Sequence, residues 1–106
     1  MKIIFFKDLN VVSTSHDKDL LKYVLSASNQ FPPGKLLGLQ QISLAGPNQL
    51  SPKPNCFTII VISKGHLIIE DNQLQKYDMI IFSPNEPIPS FDSVDVLAYL
   101  FFWQIE

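Results

Sequence analysis

Five side chains in this sequence have the chemistry to do more than pack: His16, Cys56, His66, Asp78 and Glu86. A cysteine acts as a nucleophile only as its thiolate, which needs a nearby base. No signature around Cys56 supplies one, so a buried thiol is the expectation. Asp78 and Glu86 could serve as paired carboxylates for acid and base work. The plainer role for Asp78 is to accept backbone hydrogen bonds in its own turn, as Asp commonly does. His66 could hydrogen-bond a ligand in a pocket, or stand exposed on a strand. A metal ion needs several donors converging on it. His16 and His66 lie far apart in the chain, and few carboxylates accompany them. No metal ligands, no catalytic set and no cofactor are therefore expected.

These residues sit in a chain of 106 residues, which fits one domain over 1–106. A chain of this length buries about two-thirds of its unfolded surface and holds one core. A hydrophobic content of 46% against 17% charged residues excludes disorder. All eight basic residues are Lys, and they are scattered from Lys2 to Lys76. Nucleic-acid readers cluster their basic groups and favour Arg for base edges, so direct DNA binding by this chain is not expected. A single cysteine rules out an internal disulfide and fits the cytoplasm. No apolar run approaches the roughly 20 residues of a membrane helix. The start lacks a small-residue cleavage site, so no signal peptide and no membrane partner are expected.

Residues 2–6 read as a short strand. Thr14 or Ser15 can cap a helix over Asp17–Asn29, with Leu21, Val24, Leu25 and Ser28 on one stripe. Pro32-Pro33-Gly34 stops it. Leu36–Leu44 predicts a strand, with a bulge at Gly38. A loop follows from Gly46 to Pro54, long enough to act as a mobile lid. Phe57–Ser63 is dense in β-formers and is broken by Lys64-Gly65. His66–Glu70 and Gln73–Tyr77 predict a hairpin turning at Asp71-Asn72. Met79–Phe82 is a further strand, followed by a loop holding Pro84, Pro87 and Pro89. Val94–Gln104 closes the pattern as a strand apolar on both sides. Val96, Ala98, Leu100 and Phe102 share one side, and Leu97, Tyr99, Phe101 and Trp103 the other. Two apolar sides need two covers, supplied by the chain itself or by a partner.

The region from Cys56 to Trp103 resembles the cupin superfamily, most closely the N-terminal sensor domains of AraC-type transcription regulators. The resemblance rests on the strand ending at Val61-Ile62-Ser63-Lys64-Gly65 and the hairpin His66-Leu67-Ile68-Ile69-Glu70-Asp71-Asn72. It continues through Tyr77-Asp78-Met79-Ile80-Ile81-Phe82 and the loop Ser83-Pro84-Asn85-Glu86-Pro87. It implies a mainly β fold, a small antiparallel β-barrel of the cupin jelly-roll kind, with one N-terminal helix. Two departures bear on function. The loop position where metal-binding cupins place a His holds Ile88, which cannot ligate a metal. Tyr77 stands where the family's turn usually has Gly, so that turn must be made differently.

The resemblance implies a small-molecule-sensing and dimerisation domain. Its effector is unidentified, with sugars among the candidates. It would act as a homodimer, with DNA read only through a domain absent from this chain. Strand parity places Phe57, Ile59, Val61, His66, Ile68, Phe82, Tyr99 and Phe101 around the ligand site. A one-residue error in parity exchanges this set for its neighbours. Two other readings stand beside it: a metal-free cupin enzyme of the sugar isomerase or epimerase type, and a stand-alone module that packs its last strand on another protein. A chain that ends just after an apolar strand also suggests the N-terminal part of a longer regulator.

Overall fold

The two densest apolar stretches of the chain become its two longest strands. The structure is a computed structural model that describes residues 1–8, 32–47, 50–51 and 53–105. Its strands are β1 (Lys2–Ile4), β2 (Gly34–Leu44), β3 (Cys56–Ile69), β4 (Asn72–Leu74), β5 (Met79–Phe82) and β6 (Asp92–Ile105). All pairings are antiparallel. The strands run in the order β1-β5-β3-β6-β2, with β4 also on β3. The fold is thus a mainly β, open antiparallel sheet, and among the described residues β1 and β2 do not pair to close it. The only helical turn described is a 3₁₀ turn at Phe6–Asp8. The helix expected over Asp17–Asn29 lies outside the described residues.

β3 organises the sheet. β6 runs along one edge of it from Cys56 to Ile68, while its other edge pairs first with β5 and then with β4. Lys64-Gly65, expected to break the strand, does not end it. The register instead slips between Ile62 and Lys64 and again between Lys64 and His66. β3 continues through this double bulge, which bends a ladder without breaking it. Gly65 has φ +86°, and a Cβ there would strike the backbone carbonyl oxygens of Val94, at 2.7 Å, and Asp95. Only glycine fits that backbone and that close approach. Across from it, Asp95 is itself left-handed at φ 48°.

The tight turns obey the same logic of positive φ. Glu70 and Asp71, at φ 45° and 64°, are the two central residues between β3 and β4, closed by the pair Ile69 and Asn72. The hairpin therefore turns one residue earlier than the Asp71-Asn72 expectation. Asn72 instead braces the turn, donating from Nδ2 to the Glu70 carbonyl at 3.1 Å. The next turn places Tyr77 at φ 72°, where glycine would be at ease. It is held by the Tyr77 amide donating to Ile62 O at 2.6 Å and the Ile62 amide donating to Asp78 O at 3.0 Å. The Phe6 ring meets the Tyr77 ring edge-on at 5.3 Å. The bulge expected at Gly38 is present, with φ +65° and a register shift between Leu37 and Leu39.

Candidate functional site

Because β3, β5 and β6 are apolar on both sides, the sheet carries a cluster on each face. The larger joins Ile60, Ile62, Leu67 and Ile69 of β3 to Leu74, Ile80, Phe82, Val96, Ala98 and Leu100. Ile3 of β1 and Ile42 and Leu44 of β2 pack against it, so every strand contributes. The smaller holds Ile59, Val61, Met79, Ile81 and Phe101, with Phe57, Tyr99 and Trp103 packed on it.

This arrangement divides the eight residues expected at a ligand site. Ile59, Val61 and Phe101 are core of the smaller cluster, and Phe57 and Tyr99 flank them. Phe82 pairs with Thr58 and belongs to the opposite face, in the larger cluster. His66 and Ile68 lie beyond the double bulge, on the face of β3 opposite the buried Leu67 and Ile69, and both are exposed. Strand parity joins Phe57 to Val61, but it does not carry across the bulge, nor from β3 to Phe82. The described residues therefore do not line one shared mouth.

The proline loop lies on the larger cluster. Ile88 and Phe91 are 5% and 4% exposed and belong to that core. Ile88, at the position where the resemblance implies a His, is a packing residue. Glu86 organises the loop: its Oε1 accepts the Ser83 amide at 2.9 Å, and its own amide donates to Ser83 O at 3.1 Å. Glu86 Oε2 meets the Met1 ammonium. Partial burial raises the Glu86 carboxyl, but the ammonium's hydrogen bond, the Ser83 amide and hydroxyl and the ammonium's charge outweigh it. The carboxyl therefore titrates below its ordinary 4.5.

Asp78 is buried and takes two backbone amides, Phe6 N on Oδ1 and Gln75 N on Oδ2, each at 2.9 Å. It is a turn acceptor that also ties the N-terminal segment to β5. The two carboxylates are thus committed to different backbone partners and do not form an acid–base pair. Cys56 is buried at the start of β3, in register with Gln104. His66 Nδ1 sits 3.4 Å from Gln73 Nε2 on the exposed face of this hairpin. His16 lies outside the described residues. Among the described residues no three His, Cys, Asp or Glu side chains come together. No helix among them is long and apolar enough to cross a membrane.

The described residues leave open space beside the double bulge. A cleft of about 340 Å³ is lined by Ser43, Leu44 and Ala45 from the end of β2, by Lys64, and by Asp95, Val96 and Leu97. Three hydrogen bonds fix its β2 wall. Gly46 N donates to Ser93 O at 2.9 Å, Ser93 N to Gly46 O at 3.1 Å, and Ser93 Oγ to Gly46 O at 2.8 Å. The loop expected to be a mobile lid is therefore pinned at Gly46. Leu50 further along packs on the larger cluster. None of the lining residues belongs to the set that strand parity places at a ligand site. The available signal was Asp95, a charge between the apolar Val94 and Val96.

No family model, curated protein or solved structure matches this chain.

Proposed function

We propose that the chain is the small-molecule-sensing and dimerisation domain of a transcription regulator similar to the AraC type. In this reading the sheet is a cupin-like jelly roll, the effector binds in the cleft lined by Lys64 and Asp95, and DNA is read by a separate domain. The observation that carries the reading is the order of parts from β3 to β6. A strand bulged at a glycine leads to a two-residue turn, an Asp-anchored turn, a short apolar strand and a proline loop folded onto the core. The resemblance calls for the parts after β3 in this order; it implies a strand end at Lys64-Gly65, where β3 instead runs on through a bulge.

Dimerisation is supported by β2. Among the described residues it is the last strand on its side of the sheet; it runs for 11 residues, with Leu36 and Leu39 46% and 51% exposed. A sheet edge offers unpaired amides and carbonyls to another strand. Two copies of one strand pair antiparallel about a twofold axis, the commonest symmetry of soluble oligomers. The same exposed leucines also favour the interaction-module reading, in which a different protein takes that edge.

Sedimentation velocity and a thermal-shift panel of sugars and amino acids test the proposal together. The expected result is a concentration-dependent dimer that Leu36→Glu with Leu39→Glu returns to monomer, and at least one compound that raises the melting temperature by mass action. A monomer at all concentrations, with no compound shifting the melting temperature, refutes it.

A further inference from the structure

We propose that the cleft beside the double bulge binds a small zwitterion of the amino-acid type, with an apolar body between an anionic and a cationic end. This rests on the sensor reading and names its effector class. Two charges of opposite sign line the cleft, Lys64 and Asp95, both exposed. Asp78, Glu86 and Asp92 each accept a backbone amide. Among the described residues Asp95 accepts none, and neither it nor Lys64 has an ion-pair partner. An anion alone is drawn by Lys64 and repelled by Asp95, and a cation alone meets the reverse. A molecule carrying both signs satisfies both groups, and complementarity of this kind selects partners more than it adds raw affinity.

The walls set the rest of the ligand. Leu97 gives an apolar surface beside Ser43, its partner in register, while Leu44 and Val96 back the cleft from the larger cluster. A volume of about 340 Å³ lies at the small end of ligand sites, which start near 300 Å³, so it suits a single small molecule. The frame is tied down on both sides of the gap. Gly65 is wedged against the Val94 and Asp95 carbonyls, and Ser93 clamps Gly46. Asp95 holds a left-handed backbone inside a strand, which takes it out of the alternation that buries Ser93, Val96 and Ala98. Backbone of this kind persists where surrounding structure enforces it, and it concentrates at ligand sites.

The test is a titration of the ¹⁵N-labelled chain with L-leucine and L-phenylalanine, followed by amide shifts. Two controls each lack one charge: 4-methylpentanoate has no ammonium, and 3-methylbutylamine has no carboxylate. The expected result is saturable shifts at Lys64, Asp95 and Leu97 with a zwitterion, and binding about 10-fold weaker or less with either control. Lys64→Met and Asp95→Asn should each lower affinity by about 10-fold or more, as loss of one charge-assisted hydrogen bond does. Asn tolerates the left-handed backbone, so Asp95→Asn should keep the wild-type spectrum outside the cleft. Absence of saturable shifts with either amino acid, equal affinity for a control, or indifference to both substitutions overturns the proposal. A sugar that raises the melting temperature while these amides stay unmoved also overturns it, and leaves the sensor reading standing.

Discussion

Asp78→Ala removes both acceptor oxygens from the turn before β5. Phe6 N and Gln75 N each donate to this carboxylate at 2.9 Å, and the residue is 5% exposed. A hydrogen bond to a charged group contributes about 1.5–3 kcal/mol net, and an amide left without a partner in a buried site carries its own cost. Both bonds are part-buried, so water can reach the freed amides and the lower end of the range applies. The two together give a loss of about 3 kcal/mol. With a urea slope of about 1.5 kcal/mol/M, the unfolding midpoint falls by about 2 M. Asp78→Asn keeps one acceptor and should lose about half as much. Amide hydrogen exchange supplies the local readout, since Phe6 lies far from Asp78 in sequence and is tied to it by this bond. Its protection should collapse in Asp78→Ala while amides in the middle of β3 keep their rank order. A loss under about 0.5 kcal/mol, the range of an ordinary surface substitution, would refute the reasoning. So would a Phe6 amide as protected as in the wild type.

Ile88→Ala should cost about 2–4 kcal/mol in urea unfolding, because the side chain is 5% exposed in the larger cluster. A near-zero effect would mean that the proline loop is not seated on the core. Gly65→Ala should lose about 2 kcal/mol or more by the same measurement, since φ +86° is strained for any side chain and the Val94 carbonyl oxygen lies 2.7 Å from the new Cβ. Glu86 gives a pH signature. Its folded carboxyl titrates below 4.5, so its contribution is complete above that value and is lost as pH falls through the lowered one. The melting-temperature gap between wild type and Glu86→Gln should be flat from about pH 7 to 5 and shrink toward zero in stronger acid. A gap that widens in acid contradicts the assignment.

What the sequence made legible follows from local rules. The β-rich half, the Gly38 bulge and Asp78 as a turn acceptor each depend on residues close together in the chain. The sequence puts the turn after β3 at Asp71-Asn72, one residue late, because Glu70 adopts a left-handed backbone that Glu has no special preference for. Lys64-Gly65 reads as a break. It is a bulge because β6 continues alongside and bends with it at Asp95, a pairing that no local pattern announces. Grouping the candidate ligand-site residues by parity meets a related limit. A strand apolar on both sides carries no mark of which face encloses the larger core, so parity grouped Phe82 with Ile59 although they lie on opposite faces. The cleft joins Ser43, Lys64 and Asp95 from three strands. That juxtaposition exists only once the register of β2, β3 and β6 is known.

The most direct test of the central claim is to join this chain to a helix-turn-helix domain that binds its operator only as a dimer, and to measure repression of a reporter. A dimerising sensor should restore repression, which Leu36→Glu with Leu39→Glu abolishes and which changes when the effector is supplied. A folded fusion, present at the same level, that represses no better than the DNA-binding domain alone would contradict the account.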